Sequence, residues 1–94
     1  ATDNDIVTEW FSGNWDDIKC EEEILYRGKT LRPDRVMISG DRAVVVDYKF
    51  VAEPNGGYHK QVKEYMALLH DMGRYDNIEG YIWYIARGEV VKVE

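Results

Sequence analysis

Apolar and polar residues alternate along this chain with two distinct periods. Between residues 3 and 12, Ile6, Val7, Trp10 and Phe11 recur at helical spacing, with Asp3 or Asn4 placed to cap the start and Gly13 to stop it. Over 17–27 the period shortens: Ile18, Cys20, Glu22, Ile24 and Tyr26 fall on one face of a strand, although the segment Glu-Glu-Glu-Ile-Leu also suits a helix. Arg27-Gly28-Lys29 makes a turn. Residues 34–38 and 43–50 are strand-like runs joined by Ser-Gly-Asp-Arg, in which Gly40-Asp41 suits a two-residue hairpin turn. A loop spans 51–57. The next helix, 58–73, carries an apolar stripe of Val62, Tyr65, Met66, Leu69 and Met72 and ends at Gly73. Residues 78–86, rich in β-branched and aromatic side chains, form a buried strand. Arg87-Gly88 turns the chain into a last short strand at 90–93.

The order is helix, strand, hairpin, helix, strand, strand. A three-stranded meander followed by a crossover helix predicts an α/β (α+β) fold: a mixed central sheet of about four to five strands with flanking helices. The 94 residues suffice for one core, so a single domain over 1–94 is expected.

The hairpin makes a chemical prediction. With Gly40 and Asp41 as the turn, Ser39 faces Arg42, Val36 faces Val45, and Asp34 faces Asp47. Directly opposed residues share a face, and Lys49, two positions beyond Asp47, points the same way. Two carboxylates and an ammonium therefore meet at one end of the hairpin. Opposed like charges destabilise a sheet, and burial raises the cost. A hard cation between the acids offsets it, because Mg²⁺ takes one or two carboxylates together with phosphate oxygens and water. A slip of one residue would separate the acids to opposite faces. The plainer reading makes Asp47 and Lys49 a strand-edge ion pair and leaves Asp34 solvated.

Composition narrows the function classes. Hydrophobic residues make up 45% and charged residues 32%, as in an ordinary soluble chain. No apolar run approaches the ~20 residues that span a bilayer, so no membrane partner is expected. The single Cys20 excludes an internal disulfide and any multi-cysteine zinc or iron–sulfur site, and a cytoplasmic location is expected. The net charge of −6 leans against a protein that grips nucleic acid by charge alone. Either the chain avoids nucleic acid, or it belongs to an assembly that grips elsewhere.

"RPDRVMI", "VVVDYKF" and "KQVKEY", taken in order, resemble the PD-(D/E)xK nuclease superfamily, and within it the RecB-type nuclease domains fused to bacterial DNA helicases. Pro33-Asp34 is similar to the first acidic motif, Asp47-Tyr48-Lys49 to the D-x-K motif, and Gln61 with Tyr65 to the Q-x-x-x-Y of the following helix. The resemblance implies a restriction-endonuclease-like core and a metal-dependent deoxyribonuclease, an exonuclease rather than an endonuclease, acting in recombination and repair. Asp34, Asp47 and Lys49 would be catalytic. Asp34, Asp47 and the Tyr48 carbonyl would bind Mg²⁺ or Mn²⁺, and Gln61 and Tyr65 would meet the DNA. The implied partners are DNA, single-stranded or a duplex end, and the helicase part of the same parent protein or complex. ATP would serve that helicase part and not this chain.

One departure stands out. RecB-type domains supply a further metal ligand, a His on an upstream helix, and the amino-terminal helix here has none. The chain is therefore expected to be a fragment lacking that helix, with weak metal binding and cleavage on its own. His59 can approach the site from the loop or stand solvated at the helix end, and His70 reads as surface. One of Glu21, Glu22 and Glu23 sits where the family often carries an acid. Arg32 and Arg35, flanking Asp34, are candidate phosphate contacts. The alternative function is a catalytically silent member that binds single-stranded DNA or scaffolds the partner helicase.

Overall fold

The computed structural model describes residues 3–50 and 56–93. In chain order these form α1 (Asp3–Trp10), β1 (Asp17–Cys20), β2 (Ile24–Tyr26), β3 (Lys29–Leu31), β4 (Arg35–Ser39), β5 (Arg42–Lys49), α2 (Gly56–Asp71), β6 (Asn77–Tyr84) and β7 (Glu89–Val93). A 3₁₀ turn over Ile85–Arg87 joins the last two strands. Five strands make one mixed sheet in the order β1-β4-β5-β6-β7. β5 and β6 are parallel, linked across the sheet by α2, and the remaining pairs are antiparallel. The expected mixed sheet with flanking helices is what forms. Of the loop expected at 51–57, positions 51–55 lie outside the described residues, and Gly56 and Gly57 belong to the helix.

Alternation sorts the strand residues onto two faces, each packed against one helix. Towards α2 point Val36, Ala43, Val45, Ile82, Tyr84 and Val93, meeting Val62, Tyr65 and Leu69 of the helix. Towards α1 point Met37, Val44, Val46 and Tyr81, closed over by Trp10. The central triplet Val44–Val46 has no exposed surface because both faces of β5 are covered. Leu68, absent from the predicted stripe, is buried as well.

The single strand expected over 17–27 is corrected. Glu21 adopts a left-handed φ of 54°, which ends β1 and redirects the chain. The rest pairs with β3 as a separate two-stranded hairpin. Arg27 (φ 51°) and Gly28 (φ 79°) both take positive φ, the requirement of a type I′ turn. This hairpin is inserted between β1 and β4, so the meander survives around it.

Candidate active site

The predicted register between β4 and β5 is present: Ser39 pairs with Arg42, Val36 with Val45 and Arg35 with Val46. Gly40 carries a φ of 58° at the first turn position, where a type II′ turn takes glycine. The ladder stops one pair short of Asp34. Position 33, the next ladder partner for β5, is a buried proline with no N–H to offer. Asp34 therefore lies in a bend rather than in the strand. Its Oδ2 accepts the Tyr48 N–H at 2.8 Å, replacing the missing strand partner. A strand residue's N–H and C=O project to the same side, so the Tyr48 carbonyl also opens beside Asp34.

Asp47 is 3% exposed. Lys49 Nζ stands 3.5 Å from Asp47 Oδ2, yet that oxygen is buried and accepts no hydrogen bond. The contact is an ion pair without hydrogen-bond geometry. Burial pushes the Asp47 carboxyl above the usual aspartate range. Lys49 draws it back down, and the neighbouring Asp34 pushes it up again. The site thus holds two adjacent acids, one of them desolvated and short of a donor, against one ammonium.

The first half of α2 supplies the surrounding groups. Gln61 Oε1 lies 3.5 Å from Lys49 Nζ. Tyr65 is buried, and its hydroxyl lies 3.5 Å from the Arg32 carbonyl. Burial pushes that hydroxyl up to about 12, with Asp47 and Asp34 adding to the effect and Gln61 opposing it. Tyr65 accordingly stays protonated at neutral pH. Sequence reasoning missed Tyr58, whose ring receives Lys49 Nζ 4.6 Å from its centroid. Tyr58 lies one helical turn before Gln61, and that spacing was the available signal. On the neighbouring strand, Tyr84 pairs with Lys49 and is fully buried, with a hydroxyl that has no hydrogen-bond partner.

Other candidates fall elsewhere. Arg35 is no surface phosphate contact: it is 8% exposed, donates to the Trp10 carbonyl at 2.7 Å, and stacks on Phe11 with its guanidinium 4.4 Å from the ring centroid. Alternation turns it to the α1 face, away from Asp34. Arg32 stays exposed beside the site, its Nε bonded to the Glu21 carbonyl. Glu21 braces Asp34 through its backbone, its N–H donating to the Asp34 carbonyl at 3.0 Å, while the side chains of Glu21, Glu22 and Glu23 are exposed. His70 is exposed, 4.0 Å from Asp71.

The donor set suits a hard cation. Asp34, Asp47 and the Tyr48 carbonyl are oxygen ligands of the kind a hard cation takes, and Asp47 Oδ2 is buried with no hydrogen bond and the Lys49 ammonium 3.5 Å away. Among the described residues no group of three or more His, Cys, Asp or Glu could hold a metal, so neither histidine completes the pair. Such a site leaves most of the coordination shell to water and substrate oxygens, the usual habit of Mg²⁺. None of the described helices is long and apolar enough to cross a membrane. No known family matches the chain, and no curated protein matches it.

Proposed function

We propose that this chain is the nuclease module of a helicase–nuclease, hydrolysing DNA phosphodiester bonds with Mg²⁺ or Mn²⁺ held by Asp34, Asp47 and the Tyr48 carbonyl. The observation that carries the reading is the buried Asp47 Oδ2, without a hydrogen-bond donor, set between Lys49 and a second carboxylate. That arrangement is costly for an ion pair alone, because a buried acceptor without a hydrogen bond costs about 1–3 kcal/mol. The assignment to DNA and to a helicase partner rests on the order of motifs between residues 32 and 65.

A bound metal would polarise a phosphoryl oxygen and lower the pKa of a water molecule. The chain's own residues do the rest. Asp47, Gln61 and the Tyr58 ring hold Lys49 Nζ at the end of β5. There its charge faces a phosphate that gathers negative charge as the bond breaks. Tyr65 keeps its proton and lies along the wall next to both acids. β5 is fixed on both faces by packing, so Asp47 and Lys49 sit on a rigid support.

The test is cleavage of linear single-stranded DNA with Mg²⁺ or Mn²⁺ by the longer parent protein and by its Asp47→Ala variant. Metal-dependent cleavage that disappears in the variant is the expected result. Equal cleavage by both proteins removes Asp47 from the chemistry and the proposal with it.

A further inference from the structure

Lys49 Nζ has two oxygen neighbours, and neither holds it firmly. Asp47 Oδ2 and Gln61 Oε1 both stand at 3.5 Å, beyond the roughly 2.7–3.2 Å of a firm N–H···O bond. The third neighbour is the Tyr58 ring, whose centroid lies 4.6 Å from Nζ, inside the ~6 Å reach of a cation–π contact. The Lys49 side chain is 22% exposed, so this contact is largely shielded from water and stronger than one on an open surface.

The ring is itself held. Tyr58 is half-buried and begins the face of α2 that carries Gln61 and Tyr65, one and two helical turns further on. It packs on the Tyr84 ring, with centroids 6.4 Å apart and planes at 48°. Tyr84 is fully buried and pairs with Lys49 across the parallel β5–β6 ladder. Val45 and Tyr84 both point towards α2, and Lys49, four residues after Val45, points the same way. Three elements therefore meet here: β5 brings the cation, β6 the supporting ring, and α2 the ring that receives the charge.

Asp47 cannot serve a metal and Lys49 equally. A carboxylate whose charge is taken up by a divalent cation no longer attracts an ammonium beside it, and the cation repels that ammonium. The Tyr58 ring has no net charge, and its negative face is the same whatever Asp47 holds. We infer that Tyr58 is a positioning residue: its ring, backed by Tyr84, keeps the Lys49 ammonium at the end of β5 when Asp47 is engaged elsewhere. The inference rests on the nuclease reading and deepens it, by naming what fixes Lys49 for the reaction.

The contact and the reaction are read separately. In EDTA, the NMR spectrum of this chain should show the Lys49 Hε resonances moved upfield by the Tyr58 ring. The shift should persist in Tyr58→Phe and in Asp47→Asn, which removes the carboxylate charge without any metal. Tyr58→Leu keeps apolar bulk against Tyr84 and should lose the shift. In the longer parent protein with Mg²⁺ and linear single-stranded DNA, Tyr58→Leu should lower kcat about tenfold and change KM less than about twofold, while Tyr58→Phe keeps the wild-type rate. Circular dichroism checks that each variant is folded, and the Asp47→Asn spectrum decides even where Tyr58→Leu does not fold. Loss of the upfield shift in Asp47→Asn overturns the inference, since the acid and not the ring would then hold Lys49. So does a Tyr58→Phe as slow as Tyr58→Leu, because the effect would not come from the ring. Asp47-dependent cleavage with equal kcat in wild type and folded Tyr58→Leu sinks the positioning role and leaves the nuclease. A persistent upfield shift without Asp47-dependent cleavage sinks the nuclease reading and reduces Tyr58 and Lys49 to a structural pair.

Discussion

Replacing Asp47 by Asn should stabilise the metal-free protein while abolishing its proposed chemistry. Asp47 Oδ2 is buried without a donor, a penalty of about 1–3 kcal/mol for an unsatisfied acceptor. An amide of the same shape carries no charge to desolvate and offers Asp34 a donor. Against this, Lys49 loses its ion-pair partner at 3.5 Å, a partly exposed contact worth at most about 1 kcal/mol. The net expectation is a gain of about 1 kcal/mol, which for a chain of this size raises Tm by about 4–8 °C. The pH dependence carries a sign. Because burial lifts the Asp47 carboxyl above its ordinary range, the folded state binds that proton more tightly than the unfolded state. Its contribution to wild-type stability is therefore full below the ordinary aspartate pKa and declines as pH rises through the elevated folded value. Asp47→Asn removes that decline. Thermal unfolding followed by circular dichroism in EDTA, from pH 4 to pH 8, measures both effects. A Tm for Asp47→Asn equal to or below wild type at pH 7 would refute the reasoning, since the orphaned oxygen would then cost nothing. Added Mg²⁺ should raise the wild-type Tm through its binding to the folded state and leave Asp47→Asn unmoved.

Three further outcomes follow from the packing. Gly80 on β6 lies under α2, where an added Cβ would stand 2.7 Å from Val62 Cγ1 and closer still to Met66 Sδ. Met66 can swing aside but Val62 is stiff on its helix, so Gly80→Ala should cost about 1–3 kcal/mol by urea unfolding. The Glu79 carboxylate is held below its usual range despite burial, because Arg42 Nε bonds it at 2.6 Å and the Tyr81 hydroxyl at 2.8 Å. The stability it contributes is present above the ordinary glutamate pKa and fades as pH falls through the lowered folded value. Glu79→Gln should therefore flatten the acid limb of a Tm-versus-pH curve. Arg35→Lys should destabilise by about 1–3 kcal/mol in the same unfolding assay, since an ammonium cannot both stack on Phe11 and reach the Trp10 carbonyl.

Sequence alone determined the parts governed by short-range rules. Periodicity located both helices and the β5 and β6 strands, and the Gly40-Asp41 turn set a register that brings Asp47, Lys49 and Asp34 to one end of one hairpin. Turn geometry and alternation are local, so they can be read from neighbouring residues. Tertiary structure decided what depends on distant packing. It broke the 17–27 segment at Glu21, because a left-handed residue and a hairpin of its own serve that stretch better than one long strand. It buried Arg35 beneath Phe11, where a charge beside an acidic motif had suggested an exposed phosphate contact. It brought Tyr58 to Lys49 and left Asp47 Oδ2 without a donor, since both depend on how α2 lies across β5.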